Sequence, residues 1–194
     1  MTIKTEAIHQ ASYRLRVATL ADAPHLRSLI ARSIRTLGAQ DYTAAQIEAA
    51  LTGAFGLDTS LIRDATYFVA LDPDERIVGC GGWSRRRTLF GGDTRLERDD
   101  SWLDPTTDAA KIRAFFIDPV HARRGIGRSL LERCEEEVAR AGFTRCELMA
   151  TLPGQRLYLR YGYEPGTSIE HPLPGGLAIE FVPMRKTLGR RQIL

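Results

Sequence analysis

The chain has 194 residues, 43 % of them hydrophobic, and a formal net charge of +3. This fits one domain with a full-sized core of ordinary globular composition, and the charge is too small to argue for nucleic acid. No apolar run approaches the roughly 20 residues of a membrane span, and the opening Met1-Thr2-Ile3-Lys4 lacks the apolar stretch of a secretory signal.

Residues 1–11 read as a loose leader. Residues 13–17 alternate with period two and predict a first strand. A helix follows, with Asp22 as its N-cap, Pro24 in its first turn and a stripe of Leu26, Leu29, Ile30 and Ile34. Thr43 and Gln46 form a capping box at the head of a second helix, whose apolar face is Ile47, Ala50 and Leu51. Residues 67–71 and 77–83 form a hairpin about a turn at 72–75. Gly79, Gly81 and Gly82 are costly in a strand. They predict either a close backbone approach or bulge, or a flat packing site under a helix.

Residues 84–109 make a connection of roughly 25 residues, long for a compact domain. It carries Arg85, Arg86 and Arg87, then Asp93, Glu97, Asp99, Asp100, Asp104 and Asp108, with Trp102 and Leu103 isolated among them. Two readings stand. It is a functional flap whose carboxylates attract a cation, or a solvated loop whose opposite charges pair with each other.

An apolar strand at 112–117 is stopped by Asp118-Pro119. A basic turn, His121-Ala122-Arg123-Arg124-Gly125-Ile126-Gly127-Arg128, leads into a helix at 129–141. Its apolar face is Leu130, Leu131, Cys134, Val138 and Ala141, and Arg128/Glu132, Arg133/Glu137 and Glu136/Arg140 sit one turn apart on the other. Gly142 takes the left-handed position at its C-terminus, with apolar Phe143 after it. The glycine turn thus lies at a helix N-terminus, where free N–H groups and the helix dipole attract an anion. Arg123, Arg124 and Arg128 add charge there, so a phosphorylated ligand is implied; an ordinary tight turn is the alternative. No Gly-Lys-Ser/Thr closes the turn as in a P-loop. Leu130 stands where a dinucleotide fingerprint needs its third glycine.

A strand at 146–150 follows, then Tyr158-Leu159-Arg160-Tyr161-Gly162-Tyr163, a turn at 164–166, and a terminal hairpin of 168–171 with 177–184. Residues 189–194 read as a tail. The cysteines, Cys80, Cys134 and Cys146, lack metal-type spacing and suit a reducing cytoplasm. Lysine occurs only at 4, 111 and 186, so the arginine excess reads as codon bias of a GC-rich genome rather than RNA binding.

Ile117-Asp118-Pro119, then Arg123-Arg124-Gly125-Ile126-Gly127-Arg128-Ser129-Leu130-Leu131, then Tyr158-Leu159-Arg160-Tyr161-Gly162-Tyr163, resemble the signature of the GCN5-related N-acetyltransferase (GNAT) family. The resemblance implies an α/β fold: a mixed, mostly antiparallel central sheet with splayed middle strands, flanked by helices, in a single domain over 12–188. It implies acetyl-CoA as cosubstrate, no metal, and transfer to a primary amine without a covalent enzyme intermediate. The backbone at Phe116 and Ile117 would meet the pantetheine arm and the acyl carbonyl. Arg123, Arg124, Gly125, Ile126, Gly127, Arg128 and Ser129 would hold the pyrophosphate. Tyr158 would be the general acid toward the CoA sulfur, with Tyr161 its rival. The family's turn usually opens with Gln or Arg where this chain has Ala122. No general base stands out; Glu147, Asp99, Asp100, Asp108 and His171 are candidates. The 84–109 connection would be a flap over the acceptor, which makes a small cationic amine the expected partner. A protein amine acceptor and a non-catalytic acyl-CoA sensor are the alternatives. The resemblance also allows a homodimer and implies no nucleic-acid or membrane partner.

Overall fold

Both faces of the sheet are covered, so residues of its inner strands are apolar on either side. The computed structural model describes residues 13–94 and 98–189. The leader expected at 1–11 and nearly all of the tail expected at 189–194 lie outside them. The strands are β1 (Arg14–Val17), β2 (Tyr67–Leu71), β3 (Ile77–Ser84), β4 (Ala110–Ile117), β5 (Arg145–Thr151), β6 (Glu164–Pro165), β7 (Ile169–Pro172) and β8 (Ala178–Thr187). They run in the order β1-β2-β3-β4-β5-β8-β6, with β7 also on β8. Every pairing is antiparallel except β4 with β5. This is the mixed, mostly antiparallel sheet expected. Among the described residues no helix is long and apolar enough to cross a membrane.

The helices are α1 (Ala23–Leu37), α2 (Ala44–Ala50), α3 (Thr59–Arg63), α4 (Ile126–Arg140) and α5 (Leu152–Arg160). Tyr67, Val69 and Leu71 of β2 pack with α1, α2 and α3, while Phe68 and Ala70 between them pack with α4. That alternation sets one apolar cluster on each side of the sheet.

Helix ends follow local chemistry, with two departures. Thr43 and Gln46 form the expected reciprocal box, Gln46 N–H donating to Thr43 Oγ1 at 3.3 Å and Thr43 N–H to Gln46 Oε1 at 2.9 Å. Asp22, expected to cap α1, turns backwards instead. Its carboxylate accepts from Thr19 N–H at 2.8 Å and pairs with Arg16 at 2.7 Å, closing a short 3-10 turn ahead of α1. The Arg16 hydrogen bond holds the Asp22 carboxyl down at about 2. The second departure is that α4 begins at Ile126, inside the glycine turn rather than after it. Its far end behaves as read: Gly142 has φ 90°, Gly142 N–H donates to Ala139 O and Phe143 N–H to Val138 O. Those two bonds satisfy carbonyls that a helix end otherwise leaves open.

The described residues of the 84–109 connection are tied to one another and to their neighbours. Arg86 bridges Trp102, and Arg87 N–H, Thr88 N–H and Leu103 N–H donate across to Ser101, Asp99 and Arg85. Leu103 is buried on the α4 side, and Trp102 lies exposed beneath the guanidinium groups of Arg85 and Arg86, at 4.7 and 4.2 Å. The helix α3, unforeseen because it is only five residues long, is capped by Asp58 and by Asp93 of this connection.

Candidate active site

The site is built where β4 parts from β5. Their parallel ladder has only two pairs, Ala110 with Cys146 and Lys111 with Glu147. Beyond them β5 stays with β8 along its whole length, and β4 becomes half-buried from Ala114 to Ile117. A bulge accompanies the parting: the β3–β4 register shifts between Cys80 and Gly82, and Ala114 sits at φ 56°. A positive φ is unfavourable for alanine. Tyr67 helps hold it, its hydroxyl donating to Ala114 O at 3.0 Å.

The glycines of β3 serve close approach, as one reading had it. A Cβ on Gly81 would lie 2.8 Å from the Phe115 ring, and one on Gly79 would lie 2.7 Å from Ile126. Gly79 therefore seats the first residue of α4, and the alternative, a flat site under a helix, is realised at the same position.

Asp118 N–H donates to Val78 O at 2.9 Å. By the alternation of an antiparallel ladder, the Ile117 N–H then faces away from β3. It is engaged: it donates to the hydroxyl of Ser33, buried on α1, at 3.2 Å. The sequence reading set the backbone at Phe116 and Ile117 against the pantetheine arm and acyl carbonyl, and Ser33 is a residue it missed.

The turn forms a cradle. Arg123 and Gly125 both have positive φ, 64° and 89°, and Gly125 is the residue from which α4 starts. A Cβ on Gly125 would meet nothing within 4 Å, so the cradle opens outward there. Alternating hands of backbone turn successive N–H groups inward, and the first turn of α4 adds N–H groups without helical acceptors. Arg123 and Arg124 are exposed beside it. Arg128 is already paired with Glu132 at 2.8 Å, and the Ser129 hydroxyl donates to Gly125 O at 3.4 Å. Ile126 is buried and Phe116 half-buried. This donor set fits a pyrophosphate.

Gly127 links the cradle to α5, since a Cβ there would stand 3.1 Å from Leu157. The next residue, Tyr158, packs edge-on to Phe115 at 6.1 Å and to Tyr163 at 5.7 Å. Burial pushes its phenol well above the ordinary value. Tyr161 is half-buried on the same helix end.

The candidate bases fall apart in space. Glu147 is ion-paired with Lys111 at the zipped end of β4–β5, the wrong end for the opening. Asp99 accepts from Ser101 N–H at 3.0 Å, Asp100 lies 3.5 Å from Arg98, and Asp108 accepts from Asp104 N–H at 2.9 Å. His171 stands on β7, its ring 5.0 Å from Phe90 and 6.1 Å from Phe181.

A buried ion cluster escaped the sequence altogether. Asp58, with its side chain fully buried, pairs with Arg113 at 2.8 Å and Arg98 at 3.0 Å, and Arg113 also donates to Gly91 O at 2.9 Å. Burial pulls the Arg113 guanidinium down and Asp58 opposes the fall. The three residues are far apart in sequence, so no local pattern announces them. Cys80, Cys134 and Cys146 are free and buried, and burial pushes Cys80 and Cys146 up to about 12, which leaves them as inert thiols.

Residues 33–163 match the Acetyltransferase (GNAT) family. No curated protein matches the chain. Among solved structures, a GCN5-related N-acetyltransferase from Rhodopseudomonas palustris is 18 % identical over 92 % of this chain and 97 % of that one, with a TM-score of 0.67. The PaiA N-acetyltransferase of Thermoplasma acidophilum, solved with coenzyme A, is 14 % identical over 91 % and 99 %, with a TM-score of 0.61. A GCN5-related N-acetyltransferase from Kribbella flavida is 16 % identical over 91 % and 98 %, with a TM-score of 0.58. At these identities the likeness is one of fold.

Proposed function

The chain belongs to the GNAT family of acetyltransferases, and from that premise we propose that it moves the acetyl group of acetyl-CoA to the primary amine of a small molecule, by direct attack in a ternary complex. The observation that carries this reading is the adjacency of three parts: an outward-opening N–H cradle at Gly125, a strand edge released at Ala114–Ile117, and Tyr158 against Phe115 between them. The likeness in fold to the PaiA N-acetyltransferase, solved in complex with coenzyme A, supports it.

Acetyl-CoA supplies an activated acyl carbon and a thiolate leaving group. The N–H groups at Gly125, Ile126, Gly127 and Arg128 hold the pyrophosphate, with Arg123 and Arg124 adding charge. Arg128, tied to Glu132, contributes field more than a bond, and Ser129 closes the turn. The backbone at Phe116 and Ile117 receives the pantetheine arm, the Ile117 N–H passing from Ser33 to a ligand carbonyl. Tyr158 keeps its proton at neutral pH because burial disfavours the phenolate. It releases that proton to sulfur as the thiolate leaves, the attacking nitrogen gives up one proton to water, and the phenol is reprotonated from solvent. Its placement beside Phe115 favours it over Tyr161. The three buried thiols support a reducing, cytoplasmic setting.

Calorimetric titration with acetyl-CoA and a thiol-release assay over a panel of amines test the reading. Tyr158→Phe is expected to lower kcat about a hundredfold with acetyl-CoA affinity unchanged. Unaltered turnover in that variant would remove Tyr158 from the mechanism.

A further inference from the structure

We propose that Tyr42 is a positioning residue for the transfer: its hydroxyl takes the place of a missing rung between β5 and β8, and so fixes where α5 begins and where Tyr158 stands. The inference rests on the reading of Tyr158 as the acid and names what holds that acid in place.

The two strands differ in length. β8 begins at Ala178, whereas β5 ends at Thr151, opposite Phe181. One rung further, the register would set Leu152 against Glu180. That rung is not made, because Leu152 is already the first residue of α5. Among the described residues, Ala178, Ile179 and Glu180 have β7 on one side and no strand on the other. The carbonyls of Ala178 and Glu180, two residues apart on one strand, point the same way, toward the side that β5 has left. A carbonyl without its ladder partner needs another donor. Both find one in the segment that links α1 to α2 and in α2 itself: the Tyr42 hydroxyl donates to Glu180 O at 2.9 Å, and Gln46 Nε2 to Ala178 O at 2.7 Å.

Tyr42 does more than answer a carbonyl. Its hydroxyl also accepts from Leu152 N–H at 2.8 Å. The two groups that would have bonded each other across the next rung are thus bridged by one phenol oxygen. Burial pushes that phenol up to about 12, so it keeps the proton it donates. Tyr42 is itself anchored, since its N–H donates to Gly38 O at 2.9 Å and its side chain is buried. The bridge also completes the head of α5. A helix leaves its first N–H groups without helical acceptors. Here Leu152 N–H goes to Tyr42, Pro153 has none to place, and Gly154 N–H goes to Thr151 Oγ1 at 3.2 Å.

Tyr158 lies six residues along that helix, about 9 Å from Leu152 at the rise of an α-helix. Its ring stands edge-on to Phe115 and Tyr163. Without the bridging hydroxyl, Leu152 N–H and Glu180 O close on each other as an ordinary rung and draw the head of α5 toward β8. A shift of about 1 Å at a reacting group costs up to about a hundredfold in rate.

Tyr42→Phe tests this, since it keeps the ring and removes the hydroxyl. A crystal structure of the variant is expected to show Leu152 N–H bonded directly to Glu180 O and the Tyr158 hydroxyl displaced by about 1 Å. In thiol release from acetyl-CoA with the fastest amine of the panel, kcat should fall about tenfold while KM for acetyl-CoA changes less than about twofold. Placed in a Tyr158→Phe background, the same change should cost nothing further, because a positioning residue has no effect once the group it positions is gone. Gln46→Leu removes the neighbouring donor to β8, whose bond does not reach α5, and should leave kcat within about twofold. An α5 that superposes on the parent, an equal loss in both backgrounds, or an equal loss in Gln46→Leu overturns the inference. Full turnover in Tyr158→Phe, or silence of every amine, would instead remove the acid or the transfer reading, and the structure of Tyr42→Phe would still decide the rung.

Discussion

The glycine turn and the 84–109 connection lie on either side of β4 and are specified in opposite ways. In the turn, residues a few positions apart set the backbone: Arg123 and Gly125 take left-handed conformations and α4 starts at once. The connection owes its place to partners far along the chain, Arg98 to Asp58, Arg86 to Asp64 and Asp93 to Thr59. A segment built from local geometry announces its function in sequence. One held by distant ion pairs looks, in sequence, like a charged loop.

That contrast can be broken experimentally. The largest effect is expected at Asp58→Ala, which strands Arg113 and Arg98 without their buried carboxylate. Removing one partner of a buried pair costs about 3–5 kcal/mol, readable as a shift in the urea midpoint. A loss under about 1 kcal/mol would mean the connection is held by its backbone ladder instead.

The local pair Arg16–Asp22 provides the counterpart. The Asp22 carboxyl lies at about 2 in the fold against an ordinary 3.8, so its contribution is complete above the ordinary value. It fades as pH falls from there through about 2. Asp22→Asn should therefore cost roughly 1–2 kcal/mol at pH 7, with the difference from the parent closing in an acid titration.

Gly125→Ala probes the turn. Left-handed backbone costs a non-glycine residue about 1–2 kcal/mol, so acetyl-CoA affinity measured by calorimetry should fall about tenfold, and global stability by less than at Asp58. The smallest effect belongs to Ser33→Ala. It frees the Ile117 N–H from an internal competitor, and since one hydrogen bond is worth about 1 kcal/mol net, acetyl-CoA should bind a few-fold more tightly. A weaker complex would show that the hydroxyl bridges to the ligand.

Much of the scaffold was readable. Period-two alternation placed β1, the turn at 72–75 placed the β2–β3 hairpin, helical spacing placed α4, and Gly142 marked its end as the backbone bears out. The parting of β4 from β5 came with the family resemblance. What escaped reading was whatever depends on three dimensions. Asp22 has the sequence of an N-cap, but Arg16 and Thr19 claim its carboxylate first. The five-residue α3 is too short to show a period. Ser33 reads as one polar residue in a helix until the fold brings Ile117 to it. In sequence the acids of the connection read either as a cation trap or as charges that pair with each other; in space the described ones are internal ties.

The two tryptophans fall one in each environment. Trp83 is buried edge-on to Phe143, 6.2 Å away, whereas Trp102 lies 54 % exposed on the connection under its two arginines. The protein thus carries a matched pair of intrinsic fluorophores. The water-facing indole is open to collisional quenchers and reports on the 84–109 connection, while the shielded one reports on the sheet. Removing either by substitution to phenylalanine would give a single-colour sensor of loop or core.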